Sequence, residues 1–229
     1  MTAETQIYVQ ALALGLDPSW RRRTDEERHD DGCRFLEAAT GAEIAGVRTI
    51  TYSSIGLKAG VDLLLWRMAS TVDALETAGA GLLRAGLGRW LAVNHSFIGR
   101  IGPSQYVRKP TEQELSLFSG ERSRYLVVYP FTKSSEWYLL SKEARQGVMN
   151  EHMRVGHDYP TIRQALAYSF GLDSQDFVVA YETDDLVAFG DLVRALRGTE
   201  SRRSTVSDTP ILLGIHRPLE EILDLLGAG

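Results

Sequence analysis

The chain has 229 residues, 44% of them apolar, so it can bury one large core or two small ones. Its net charge of −5 argues against a nucleic-acid or anionic-membrane footprint, because phosphate binding relies on clustered Lys and Arg. A single cysteine, Cys33, excludes an intrachain disulfide and a cysteine-rich metal site.

In chain order, Ile7 to Leu14 reads as a strand. Arg21-Arg22-Arg23 reads as a solvated loop, and a helix is expected from about Thr24 to Ala39. Val47 to Ser54 and Asp62 to Met68 read as strands joined through Gly56-Leu57-Lys58-Ala59-Gly60, where glycines suit a hairpin. A helix near Ser70 to Leu83 and a strand from Asn94 to Ile101 complete this half. Residues 103–121 carry Pro103, Pro110 and several serines and read as a linker.

The second half repeats the order. Tyr125 to Phe131 is a strand, Ser141 offers a helix N-cap, and Pro160 discourages helix beyond it. Ala167 to Phe170 and Phe177 to Tyr181 read as paired strands. Thr183 is expected to cap a helix whose Leu186, Phe189, Val193 and Leu196 share a face. Ile211 to Ile215 closes the half, and a helix from Pro218 to Leu226 follows with no docking site legible.

The halves echo each other in detail. Tyr52-Ser53-Ser54-Ile55-Gly56-Leu57 returns about 115 residues later as Tyr168-Ser169-Phe170-Gly171-Leu172. Asp62 and Asp176 each precede the next apolar run. The fold expected is α+β, two tandem ferredoxin-like (βαββαβ) lobes over 1–102 and 122–229, packed sheet on sheet because one-sided helix cover leaves a second apolar face.

Among His29, His95, His152, His157 and His216, His152 stands out. Ala144, Val148, His152 and Val155 follow helical spacing, which puts an imidazole in the middle of a predicted buried stripe. Spacing alone leaves two readings open, a satisfied core histidine or a single ligand to a metal. His157 lies roughly 140° round the helix from it and does not share a site with it. No multi-ligand metal motif, phosphate loop or nucleophile elbow is present. A cofactor carrying its own equatorial ligands, as haem does, needs only one imidazole.

Three separated stretches carry a family resemblance. RYLVVYPFTKSSEWYLLSKEARQGVMNEH (124–152), YSFGLDSQDFVVAYETDD (168–185) and the run from Leu196-Arg197 to Thr209-Pro210 resemble the chlorite dismutase and coproheme decarboxylase family. The resemblance is strong over about 124–214 and weak before it. It implies a haem-dependent oxidoreductase whose cofactor is coproheme or haem b, with the second lobe carrying the haem site.

By position, it implies that His152 is the proximal iron ligand. Tyr129 and Lys133 fall at the tyrosine and lysine of the decarboxylating members, where peroxide is the oxidant, the tyrosine carries a radical to a propionate and the lysine holds the departing carboxylate. A buried strand tyrosine anchored by its hydroxyl is the structural alternative for Tyr129. Trp137 lines the pocket, with Tyr138 where chlorite-degrading members often have a second tryptophan.

Gln164 or Arg163 is the far-side residue. Glutamine implies decarboxylation of coproheme to haem b, whereas arginine implies splitting of chlorite to chloride and dioxygen, since a guanidinium holds a small oxyanion. Glu200 is the candidate carboxylate behind the imidazole, and Arg203, with Arg202, is a candidate for propionates. His95 or Phe97 stands where decarboxylases offer a tyrosine. A haem binder or sensor without turnover, or a scaffold without haem, is the alternative of another class. The expected partners are porphyrin with peroxide or a small oxyanion, and further copies of the chain in a homopentamer. No nucleic acid or membrane partner is expected. Neither a leader nor a bilayer span is recognisable, so cytoplasmic residence is expected.

Overall fold

The computed structural model describes residues 6–102, 106 and 121–229, and the expected linker lies almost wholly outside them. The fold is mixed α+β, divided into two compact units, 1–101 with 213–229 and 102–212. The terminal segment therefore belongs with the first unit.

In the first unit, β1 (Ile7–Leu16) is central and pairs antiparallel with β3 (Val61–Ala69) and β4 (Leu91–Ile101), while β2 (Arg48–Lys58) flanks β3. The β2–β3 hairpin closes at Lys58 opposite Val61, with Gly60 at φ +76° in a backbone region open to glycine. Helix α1 (Asp25–Ile44) starts with a full capping box, in which Thr24 and Glu27 satisfy each other's backbone donors. It runs past the expected end at Ala39, because Ala42 is still buried and the chain first turns at Gly46, φ +88°.

Helix α2 (Val72–Arg84) is capped by Thr71, whose side chain accepts from the Ala74 N–H. The core joins Leu12, Leu14, Leu63 and Leu65 to Phe35 and Leu82, each buried leucine contributing about 1.5–3 kcal/mol. Arg21 and Arg22 are exposed as expected, but Arg23 pairs with the buried Asp31 at 3.2 Å and lies over Trp90.

The terminal helix, Leu219–Leu225, seals this core with Leu219, Ile222 and Leu223, and Trp20 Nε1 donates to Leu226 O at 2.8 Å. Gly32 permits the contact, since a Cβ there would meet Ala228 O at 2.3 Å.

In the second unit, β7 (Phe177–Thr183) lies between β6 (Arg163–Tyr168) and β5 (Tyr125–Lys133), and the short β8 (Thr205–Ser207) pairs with β5. β9 (Leu212–His216), whose residues from 213 on belong to the first unit, pairs there with β2. The helices are α3 (Ser135–Leu139), α4 (Lys142–His157) and α5 (Leu186–Arg197); the terminal helix is α6.

Two expectations need correction. β6 begins at Arg163 rather than Ala167 and ends before Phe170, because its first residues are polar while Gly171, φ +72°, turns the chain after it. The α5 N-cap is Asp185, which accepts from Val187 and Ala188 N–H, while Thr183 Oγ1 accepts from Asp185 N–H.

The repeat is physical as well as textual. Asp62 accepts the Leu16 N–H at 2.7 Å, and Asp176 accepts the Lys133 N–H at 2.7 Å. Each carboxylate pins the end of the first strand of its unit.

Candidate functional site

The second unit gathers the residues singled out by the resemblance. Helix α4 begins where Ser141 Oγ accepts the Ala144 N–H at 3.2 Å, with Glu143 in its first turn and Arg154 and His157 in its last, each complementing the helix dipole. The predicted buried stripe is not buried. No residue of α4 is fully so: Val148, His152 and Val155 are half-buried while Ala144 is open to solvent. Apolar residues at helical spacing on an uncovered face leave a surface that a planar apolar ligand could cover.

His152 Nδ1 lies 3.0 Å from Ser201 Oγ in the short turn Glu200–Ser204. This corrects Glu200 as the group behind the imidazole: its carboxylate pairs with Arg203 at 3.4 Å, and its N–H donates to Glu151 at 2.9 Å. The turn is one residue out of step, so a hydroxyl rather than a carboxylate meets the ring. Burial, then the charge of Lys133, pushes the His152 pKa down to about 4 against the opposing pull of Glu151. The imidazole is thus neutral near pH 7, as a metal ligand must be.

Lys133 ends β5 and is buried. Its Nζ donates to Ser201 O at 2.7 Å and stands 4.5 Å from the centre of the buried Trp137 ring. Burial and then Arg202 lower its pKa to about 8, so it remains mostly cationic near pH 7. Among the described residues no carboxylate pairs with it, so this ammonium is free to take an anionic partner. Tyr138 donates to Asp176 at 2.8 Å and meets Phe170 edge to face.

Strand alternation sorts the remaining candidates. Gln164 is opposite Tyr181 in the β6–β7 ladder, and Val127, two residues before Tyr129, is opposite Tyr181 in β5–β7. Tyr129 and Gln164 therefore share one sheet face with Val179 and Tyr181, the face on which α5 packs through Phe189 and Leu192. Tyr129 is hydrogen-bonded to Tyr181, and burial raises its pKa well above the usual phenol value. On the same face Leu166 is still 44% exposed, so α5 leaves part of it open.

Arg163 points the other way. It is opposite Glu182, pairs with it at 3.0 Å, and also donates to Ser123 Oγ and Glu121 O. The expectation that Arg163 serves as far-side residue beside Tyr129 is corrected by this register.

Arg203 is 81% exposed and engaged by Glu200, while Arg202 pairs with Asp208 at 2.6 Å. His95 and Phe97 lie on β4 of the first unit, their rings stacked at 5.9 Å.

Ser201, Thr199 and Tyr181 were not picked out from the sequence. Serines and threonines are common and a hydroxyl partner has no spacing signature; only the proximity of Ser201 to the sought position of Glu200 hinted at it. Tyr181 had a signal, since it closes the repeated strand segment Phe177 to Tyr181.

The residues present fit an iron porphyrin. The fit rests on a neutral imidazole whose Nδ1 is engaged and whose Nε2 makes no hydrogen bond among the described residues. It rests also on the exposed apolar side chains Leu166 and Phe170 of this unit. His152 would hold the iron, and Lys133 is placed to meet a carboxylate.

The sequence pattern of the family described as chlorite dismutase matches residues 26–217. The coproheme decarboxylase of Mycolicibacterium smegmatis is 31% identical over 197 residues, 85% of this chain and 83% of that protein. The chlorite dismutase of Ideonella dechloratans is 27% identical over 150 residues, 62% of this chain and 53% of that protein. The solved structure of chlorite dismutase from Candidatus Nitrospira defluvii in complex with imidazole matches with a TM-score of 0.88 at 28% identity, covering 96% of this chain and 95% of that one.

Proposed function

We propose, because the chain belongs to the chlorite dismutase family, that it is a haem-dependent oxidoreductase which uses peroxide to decarboxylate two propionates of coproheme, giving haem b. The observation that carries the choice is the β6 register, which pairs Arg163 with Glu182 and leaves the neutral amide of Gln164 on the Tyr129 face. A neutral amide holds chlorite or hypochlorite far less well than a guanidinium does. The coproheme decarboxylase relative supports the same choice.

The iron porphyrin, when bound, supplies the peroxide-driven one-electron oxidant. His152 would hold its iron through Nε2. Tyr129 stays a neutral phenol at physiological pH because burial opposes its ionisation, and its hydroxyl is oriented by Tyr181. It can therefore give up a hydrogen atom to the oxidant and take one back from a propionate β-carbon; loss of that propionate's carboxylate as CO₂, leaving a vinyl group, would release one further electron to the second oxidising equivalent of the peroxide. Lys133, a buried ammonium without a carboxylate partner among the described residues, would attract the propionate carboxylate that leaves as CO₂, while Trp137 keeps water from its side of the site. The same reading includes ferredoxin-like lobes, assembly as a homopentamer and residence in the cytoplasm. No helix among the described residues is long and apolar enough to cross a membrane.

The test is titration of the purified protein with coproheme, followed by peroxide, with products weighed by mass spectrometry. Loss of two CO₂ units that stops in Tyr129→Phe is expected. A Soret band unchanged in His152→Ala, or decarboxylation undiminished in Tyr129→Phe, refutes the scheme, and oxygen release from chlorite would favour the other activity of the family.

A further inference from the structure

We propose that Ser201 and Thr199 form a one-way hydroxyl relay that locks His152 in its Nδ1–H tautomer and leaves Nε2 as the bare ligand atom. The iron-binding half of the statement rests on the function proposed above; the tautomer does not.

The direction follows from counting hydrogens. Thr199 Oγ1 lies 2.7 Å from Leu196 O, and a carbonyl only accepts, so the threonine hydrogen is used there. Ser201 Oγ lies 2.9 Å from Thr199 Oγ1, and that contact needs a hydrogen which only the serine can still give. Ser201 Oγ then meets His152 Nδ1 at 3.0 Å with no hydrogen of its own left, so the ring nitrogen donates. The reverse order would leave two oxygens facing each other at 2.9 Å with nothing between them. Both hydroxyl residues are buried, which keeps water from supplying a substitute.

The relay is also anchored from the other side. Lys133 Nζ donates to Ser201 O at 2.7 Å, and Thr205 Oγ1 adds a longer bond to the same oxygen at 3.4 Å. The serine is thereby fixed between the end of β5 and the imidazole. Its hydroxyl differs from a carboxylate in one chemical respect: being neutral, it orients the ring but draws little on the Nδ1 proton. The ligand is therefore less basic than one backed by an acid.

In the metal-free protein with ¹⁵N-labelled histidine, long-range proton–nitrogen NMR correlations are expected to report His152 as Nδ1–H. Ser201→Ala should mix the tautomers and weaken iron-porphyrin binding about tenfold, Ser201→Thr should restore both, and Thr199→Val should mix the tautomers with the serine still in place. In the ferrous porphyrin complex, Ser201→Asp should raise the iron–imidazole stretching frequency and lower the midpoint potential. An Nε2–H signal in the wild-type protein overturns the relay, as does a tautomer unchanged in both Ser201→Ala and Thr199→Val. The wild-type and Thr199→Val spectra decide the matter should Ser201→Ala fail to fold. Porphyrin binding indifferent to His152→Ala would overturn the iron-binding half and leave the NMR result standing.

Discussion

Arg163 and Glu182 face each other across the β6–β7 ladder and form an ion pair at 3.0 Å, with the carboxylate fully buried and Arg122 approaching it at 3.5 Å. Removing the acid would take its charge away from two largely buried guanidinium groups. Glu182→Gln should therefore destabilise the protein by about 3–5 kcal/mol, read from urea unfolding. Arg163→Ala should also lower stability while leaving the porphyrin absorbance spectrum as it was. A changed spectrum would mean that the arginine reaches the ligand after all.

The depressed pKa of His152 gives a signed pH dependence. Its folded value of about 4 lies below the ordinary 6.5, so between these pH values the unfolded chain binds more protons than the folded one. Stability should be unaffected by this group above pH 6.5 and should fall as pH drops toward 4, by about 3 kcal/mol at most. His152→Asn removes that component. Urea unfolding of the metal-free protein at pH 7.5 and 4.5 should show a smaller loss in the variant than in the wild type.

Tyr181 orients Tyr129 through the hydroxyl bond between them. Tyr181→Phe keeps the ring packing against Phe189 but removes the oxygen, and loss of one such bond is worth about 1–1.5 kcal/mol, close to tenfold in rate. Single-turnover decarboxylation should slow by about that factor, with coproheme affinity unchanged. An equal loss of affinity would place Tyr181 in binding instead.

The two repeated aspartates should differ in weight. Asp62→Ala removes the acceptor for one backbone N–H, whereas Asp176→Ala removes it for both Lys133 N–H and the Tyr138 hydroxyl. Destabilisation of about 1–2 kcal/mol is expected for the first and about 2–4 kcal/mol for the second. Thermal or urea denaturation of the two variants compares them directly, and equal losses would mean that the Tyr138 bond contributes nothing.

Much of the fold was legible because its signals are local. Capping at Ser141, the turn at Gly60 and the apolar runs of β1, β3, β5 and β7 each depend on residues a few positions apart. β6 was misplaced because Arg163 and Gln164 hide a strand start that only pairing with β7 creates. The docking of α6 was invisible for a similar reason: Trp20 and Leu226, which bond to each other, lie at opposite ends of the chain.

At the site, chain order named Tyr129, Lys133, Trp137, His152 and either Gln164 or Arg163 as candidates, since family motifs are contiguous strings. What it could not say is which side of a strand faces the helices. A one-residue step inverts that choice, so Arg163 and Gln164 stayed interchangeable until the ladder assigned Arg163 to Glu182.

The amino-acid order by itself determined the α+β class and the repeated segments, and it named His152 as a candidate, because periodicity, capping and repetition are written along the chain. Only the tertiary structure decided that Ser201 rather than Glu200 meets that imidazole, and that Gln164 rather than Arg163 shares a face with Tyr129. Both depend on hydrogen bonds and strand register between distant segments, which exist only once the chain has closed on itself.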